Sequence, residues 1–337
     1  MRMQAHARLD LPFGQVRDWL VASPLYADRG QQAPDGRLRL AFGLGTLEVA
    51  PGGGATQLTL RSPDAPSLQA LRDFVAETAR EAGAEPVWEE RHRPGRPANL
   101  CLARVAGVEP VGASFRRLWL EGVDLSRLMR GGLHFRLLIG PEGAGWPVLD
   151  AAGLTHWPGG AGAWHRPVYT VRHIAGEGEA TRLGVDIFLH DGGRVTAWSA
   201  GLAPGQEVAL MGPSGGDVPE GAGGPAPWFG LFGDETALPA IARMLAALPA
   251  GARGRAAILV PGADDIQPLA HPPGLRLDWL TRAAGQGLRA ALAATPIPAE
   301  GRFVFFAADG EETAEARADL AARGLDRAEF WAQAYWR

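Results

Sequence analysis

The rhythm of apolar and polar residues changes along the chain, and each rhythm predicts a different kind of domain. FGQVRDWLVA (13–22) carries apolar residues at helical spacing. RLRLAFGLGTLEVA and ATQLTLR alternate as strands do, and PGGG between them is a turn signal. SLQALRDFVAETAREAG sets Leu68, Leu71, Phe74, Val75 and Thr78 on one stripe of a helix, with Ser67 placed to cap its start and Gly83 its end. EPVWEE reads as a short final strand. These elements predict a small α+β domain over residues 1–92, followed by a polar, Pro- and Arg-rich linker, RHRPGRPAN (91–99).

From residue 98 to 212 the strand period dominates. NLCLARVAGVEPV, FRRLWLEGV, LHFRLLIG, PVYTVRHI, TRLGVDIFLH and EVALMG are separated by turn chemistry at intervals that suggest a small antiparallel β-barrel. One long Gly- and Trp-rich loop, PEGAGWPVLDAAGLTHWPGGAGAWH, breaks the spacing, and loops of that length in compact domains are usually functional or disordered. Over 213–337 the rhythm becomes βαβ. The strand runs WFGLFG, AAILVP, LRLDWL and RFVFFA alternate with helical segments from about Thr236 to Ala247, in GLRAALAA and in ETAEARADLAARG. That alternation implies a parallel sheet covered by helices, with ligands beyond the C-terminal strand ends. Gly233–Thr236 and Ala307–Asp309 occupy those ends. A barrel followed by an α/β domain is the layout of flavin reductases that take hydride from a nicotinamide, although a shared fold does not by itself fix function.

Composition narrows the chemistry. The 337 residues carry a net charge of −4, so nothing draws the chain to nucleic acid or acidic membranes. All 33 basic residues are arginine, which excludes a lysine Schiff base and leaves anion recognition to guanidinium, histidine and backbone N–H groups. Cys101 is the only cysteine, which rules out an internal disulfide and a cysteine-ligated cluster. MRMQAHARLD has no signal-peptide core and no apolar run is long enough to span a membrane, so a cytoplasmic protein without membrane insertion is expected, as monomer or weak dimer. HExxH is absent, against a zinc protease, and the one GxSxG match, GPSGG (212–216), falls in a stretch that reads as a loop, against the strand–turn–helix elbow of a serine hydrolase. His6, His92 and His271 read as surface residues.

Two stretches carry more polar groups than their elements need. In HRPVYTVRHI, a strand requires only VYTV, yet Arg166 and Arg172 flank Tyr169, Thr170 and Val171. In FLHDGGRVTAW, Gly192 and Gly193 allow close approach to the backbone at Val195 and Thr196, and His190 and Trp198 stand ready to flank a ring. Two readings remain open here, a strand pair closed by a glycine hairpin or a site for a flavin dinucleotide. LFGDETALPAIARML is either a plain strand–turn–helix or a cofactor loop, and it lacks GxGxxG.

VYTVRHI, VDIFLH…GRVTAW, APGQEVALMGPSG, LFGDETALPAIARML and the closing YWR resemble the siderophore-interacting proteins, the NAD(P)H-dependent ferric-siderophore reductases. The resemblance covers about 98–337 and implies an FAD-binding barrel (98–212) followed by a ferredoxin-reductase-like NAD(P)-binding domain (213–337). It implies that Tyr169, Thr170, Val171 and Arg172 hold isoalloxazine and ribityl, with Arg166 near the phosphates. It puts His190, Val195, Thr196 and Trp198 on the pyrophosphate and adenine side, with Phe188 and Gly193 also at the cofactor. Gly233, Asp234, Glu235, Thr236 and Asp309 would line the nicotinamide site. A ferric siderophore is the implied substrate, with Arg282, Trp336 and Arg337 as its candidate contacts and Arg317 a weaker one. The sequence departs from the family at Pro167, where an arginine is usual, at Arg194, where proline often stands, and at Ala307-Ala308-Asp309, which replaces Ala-Gly-Glu. These departures leave two alternatives, a siderophore carrier with little reductase activity and a general flavin reductase with a non-iron acceptor. Residues 1–90 resemble a small uncharacterised domain often fused to these reductases, and PLYADRG replaces the histidine pair that domain often carries.

Overall fold

The computed structural model describes residues 3–23, 26, 29–123, 125–176, 178–215 and 227–336. The chain gathers into two compact units. The first holds 1–103, 123–169 and 207–217, and the second holds 104–122, 170–206 and 218–337.

In the first unit, β1 (Met3–Leu9), α1 (Phe13–Ala22), β2 (Gly30–Gln32), β3 (Leu38–Phe42), β4 (Gly45–Gly52), β5 (Ala55–Ser62), α2 (Ala65–Glu81) and β6 (Val87–Trp88) follow one another. Among the described residues the strands form one antiparallel sheet, ordered β2-β3-β4-β5-β1-β6. Strand β1 was not anticipated. Its inward residues are Ala5, Ala7 and Leu9, too small and too interrupted by His6 and Arg8 to stand out, yet all three are buried. Leu38, Leu40, Val49, Leu58 and Leu60 from the sheet pack on Val16 and Leu20 of α1 and Leu68, Leu71 and Val75 of α2. Each such side chain stabilises the fold by about 1.5–3 kcal/mol on full burial. The α2 cap is Asp64, whose carboxylate accepts from the Ser67 N–H at 2.8 Å, rather than Ser67 itself. Phe74 leaves the expected stripe, 36% exposed, while Arg72 goes inward.

Next come β7 (Leu100–Val111), β8 (Phe115–Glu121), β9 (His134–Leu138), the hairpin β10 (Val148–Leu149) and β11 (Thr155–His156), β12 (Val168–Thr170), β13 (His173–Ala175), β14 (Arg182–Phe188), α3 (Arg194–Ala200) and β15 (Glu207–Ser214). In the first unit the order is β12-β9-β15-β7. The later part of β7 belongs to the second unit, where the order is β7-β8-β14-β13, antiparallel throughout. PVYTVRHI is therefore not one strand. It breaks at Val171–Arg172; β12 is the edge of the first unit's order and β13 the edge of the second's.

The remainder of the second unit is a parallel sheet. Strands β16 (Trp228–Gly233), β17 (Arg253–Val260), β18 (Gly274–Thr281), β19 (Arg302–Asp309) and β20 (Phe330–Trp336) run in the order β18-β17-β16-β19-β20. They are joined through α4 (Leu238–Ala247), α5 (Leu288–Ala293) and α6 (Gly310–Ala322). Strands β16 and β19 are buried along nearly their whole length, as parallel strands between helices should be. No helix among the described residues is long and apolar enough to cross a membrane.

Candidate functional site

The C-terminal end of β16 carries the most organised polar cluster of the α/β part. Gly233 must be glycine, because a Cβ there would lie 2.6 Å from the Ala237 Cβ. Asp234 is fully buried. Its carboxylate accepts from Thr236 N–H (2.9 Å), Thr236 Oγ1 (2.6 Å), Ala237 N–H (3.3 Å) and the Trp336 indole N–H (2.7 Å). It thus builds the turn that launches α4 and ties the last strand to it.

Glu235 is nearly buried and pairs with Arg282, whose Nη2 stands 3.2 Å from it and 4.0 Å from Asp234. Burial raises the Glu235 carboxyl, with the charge of Asp234 adding and Arg282 opposing. Burial also raises Glu312, near Asp309 and Asp234. Asp309 caps α6, accepting from Glu311 N–H (2.8 Å) and Glu312 N–H (2.9 Å). Arg282 is therefore the cation of a largely acidic cluster, and Trp336 presents an indole that is 44% exposed and tied to Asp234 through its N–H. Arg317 donates to the Ala332 carbonyl, a structural tie. Arg337 lies outside the described residues.

In the antiparallel part of the second unit, β14 turns one carboxylate inward. Asp186 accepts both Nε (2.6 Å) and Nη2 (2.9 Å) of Arg117 and lies 3.6 Å from Arg172 Nε. Arg172 Nε and His173 Nε2 are buried without a hydrogen-bond partner. Burial lowers both groups, and the neighbouring arginines push His173 further down. His173 is thus harder to protonate in the folded chain than in the unfolded one. Below the ordinary imidazole pKa of about 6.5 the unfolded chain takes up the proton more readily than the folded one, so stability falls as pH drops from 7.5 to 5. Melting temperatures across that range should show a shallower slope for His173→Gln than for wild type.

The residues around α3 suit a dinucleotide pyrophosphate. The first N–H groups of α3 have no intrahelical acceptor, and its N-cap is Gly193, after Gly192 at φ +72°. A Cβ on Gly193 would lie 2.7 Å from His190 Nε2 and 2.8 Å from Thr196 Oγ1, so any larger residue must displace these side chains. The His190 N–H donates to Thr196 Oγ1 at 3.2 Å, and Phe188 stacks against His190 with centroids 6.3 Å apart. Arg116 secures the helix from below through the Thr196 carbonyl and Ser199 Oγ. Val195 is buried and supports the turn, while Trp198 is half-buried. Thr170 and Val171 are buried. The sequence reading missed Asp186 and Arg117, though an acid at an inward position of GVDIF was a signal that could have found them.

In the first unit, the Arg166 guanidinium lies over the Trp157 ring at 4.7 Å, and its carbonyl accepts from Arg136 Nη1 at 3.0 Å. Tyr169 is half-buried, which pushes its phenol upward.

Residues 104–217 match the family model of the siderophore-interacting FAD-binding domain, and residues 226–337 match that of the siderophore-interacting protein. From residue 104 onward the chain belongs to the siderophore-interacting protein family. An uncharacterised protein of Mycobacterium tuberculosis is 45% identical over 114 residues, a match spanning 34% of this chain and 38% of that protein. This chain thus spans well under half of the mycobacterial relative it matches. A protein of Escherichia coli named NADPH-dependent ferric-chelate reductase is 29% identical over 245 residues, covering 69% of this chain and 91% of that one. Among solved structures, a siderophore utilization protein from T. fusca superposes with TM-score 0.59 at 28% identity, covering 74% of this chain and 95% of that one. The match to the siderophore-interacting FAD-binding domain makes FAD the cofactor of this chain.

Proposed function

We propose that this protein is an FAD-dependent reductase that passes electrons from NAD(P)H to ferric siderophores and so releases iron as Fe(II) in the cytoplasm. The observation that carries the reading is the succession, in one chain, of the FAD-binding match at 104–217 and the siderophore-interacting match at 226–337. FAD, when bound, accepts a hydride and delivers electrons singly, the link between a two-electron donor and a one-electron metal. Fe(II) binds hard oxygen donors more weakly than Fe(III), so reduction frees it.

The chain's own residues supply binding, orientation and electrostatics. Val195 and Thr196 N–H groups and Arg172 hold the pyrophosphate, and Asp186 sets the Arg172 side chain. Asp234 shapes the turn on which Glu235 and Thr236 meet the nicotinamide. Trp336 offers an exposed aromatic face beside them. Arg282, half-exposed at 43%, is the cation available to an anionic chelate once Glu235 shares it.

The test is NAD(P)H oxidation by the purified flavoprotein with a Fe(III)-siderophore, Fe(II) being trapped by ferrozine. Turnover that depends on chelate supports the reading. Flavin reoxidised by other acceptors but by no chelate would indicate a general flavin reductase, and tight chelate binding without electron transfer would indicate a carrier.

A further inference from the structure

Part of the polar face of α2 is turned away from solvent. Gln69, Arg72 and Asp73 all point into the long loop that precedes Arg166. Asp73 accepts from the Thr155 N–H (2.9 Å) and Thr155 Oγ1 (2.6 Å), and Gln69 Nε2 donates to Asp73 (3.1 Å) and to the Gly153 carbonyl (3.0 Å). Arg72 donates to the Ala152 carbonyl (3.0 Å), contacts His92 Nε2 (2.9 Å) and lies over the Trp88 ring at 4.2 Å. The segment expected to be a free linker joins in, with His92 N–H on the Ala151 carbonyl (3.1 Å) and the Gly95 carbonyl accepting from Leu149 N–H (2.8 Å). At the centre, Leu154 is 5% exposed and belongs to the same core as Leu68 and Leu71.

Two residues beyond Thr155 stands Trp157. It packs edge-on against the buried Trp164, centroids 5.5 Å apart, and supports the Arg166 guanidinium. Trp164 in turn is set in a core with Leu100, Leu138 and Ala209. The loop thus has one end in the core of the N-terminal sheet and the other under the arginine that opens HRPVYT.

We infer that residues 3–92 form a positioning domain: α2, through Gln69, Arg72 and Asp73, clasps residues 150–156 and so fixes Trp157 and Arg166 for flavin binding. The inference rests on the flavoprotein reading, under which Arg166 and Tyr169 serve FAD. Gln69, Arg72 and Asp73 touch no cofactor and act only through the loop.

The full-length protein is compared with Asp73→Ala, Thr155→Val, the double variant and Asp73→Asn. Hydrogen exchange at Leu154–Trp157, acrylamide quenching of tryptophan, and the dissociation constant for FAD are measured, with melting curves as a control on folding. Loss of one charge-assisted partner should speed exchange of the Thr155 amide about tenfold and weaken FAD by about threefold to tenfold. The double variant should be little worse than Asp73→Ala, since both changes cut the same contact. Asp73→Asn keeps an acceptor for Thr155 and should recover most of the FAD affinity. Unchanged exchange in Asp73→Ala and Thr155→Val overturns the clasp. A loosened loop with wild-type FAD affinity overturns the positioning role alone. A wild-type protein that takes no FAD defeats the flavoprotein reading, and this inference with it.

Discussion

Asp186→Ala should be among the most damaging single changes in the second unit, lowering stability by about 3–5 kcal/mol and the apparent Tm by on the order of 10 °C. The reason is asymmetry. A buried ion pair contributes little net free energy, because desolvation offsets most of the Coulomb attraction. Removing one partner is costly because the other charge stays buried. Asp186, whose side chain is fully buried, lies against two guanidinium groups, Arg117 at 2.6 Å and Arg172 at 3.6 Å. Alanine leaves both positive charges facing each other across the vacated space. Asp186→Asn retains an acceptor of the same shape and should fall between alanine and wild type. Thermal denaturation of the three proteins checks the order. FAD titration should follow it, since Arg172 loses the carboxylate that sets its side chain. A wild-type melting curve for Asp186→Ala would show that water reaches these arginines readily.

Why Asp186 escaped the sequence reading, while the fold around it did not, comes down to range. Alternation in TRLGVDIFLH and continuity in WFGLFG are local consequences of half-buried and fully buried strands, so they could be read directly. The helical segments of the βαβ half were equally plain, and with them the parallel sheet. Partnership is not local. Asp186 meets Arg117 across a strand pair, Asp73 meets Thr155 across the core of the first unit, and Asp234 meets the indole of Trp336 across the sheet. No spacing rule connects such residues.

One local reading failed and another was incomplete, both for physical reasons. HRPVYTVRHI alternates like one strand but breaks where Arg172 turns toward Asp186. RHRPGRPAN has a linker's composition, yet its His92 N–H and Gly95 carbonyl are spent on the loop at 149–151. The motif GDETALPA lies at the end of β16, where the strand hands over to α4. What it could not reveal was the division of labour inside it, in which the acid nearest the strand builds the turn and the next one faces Arg282.

That division is tested by Asp234→Ala, expected to cost about 2–4 kcal/mol and to raise KM for the nicotinamide several-fold. Four donors converge on this carboxylate, two from Thr236 and one each from Ala237 and Trp336. The residue is fully buried, so water cannot replace the lost acceptor without opening the turn. The first turn of α4 would loosen, and the indole of Trp336, 44% exposed and held through its N–H, would lose its orientation. Asp234→Asn keeps an oxygen for Thr236 but points an amide group at one of the remaining donors, so it should rescue stability only in part. Glu235→Gln is the contrasting control. It removes the charge paired with Arg282 at 3.2 Å without touching the turn, and should leave the melting temperature near wild type while changing the KM for an anionic chelate. Urea denaturation and steady-state kinetics on the three variants separate the two acids. If Asp234→Ala unfolds at the wild-type urea concentration, the carboxylate does not organise the turn, and the role assigned to it moves to Glu235.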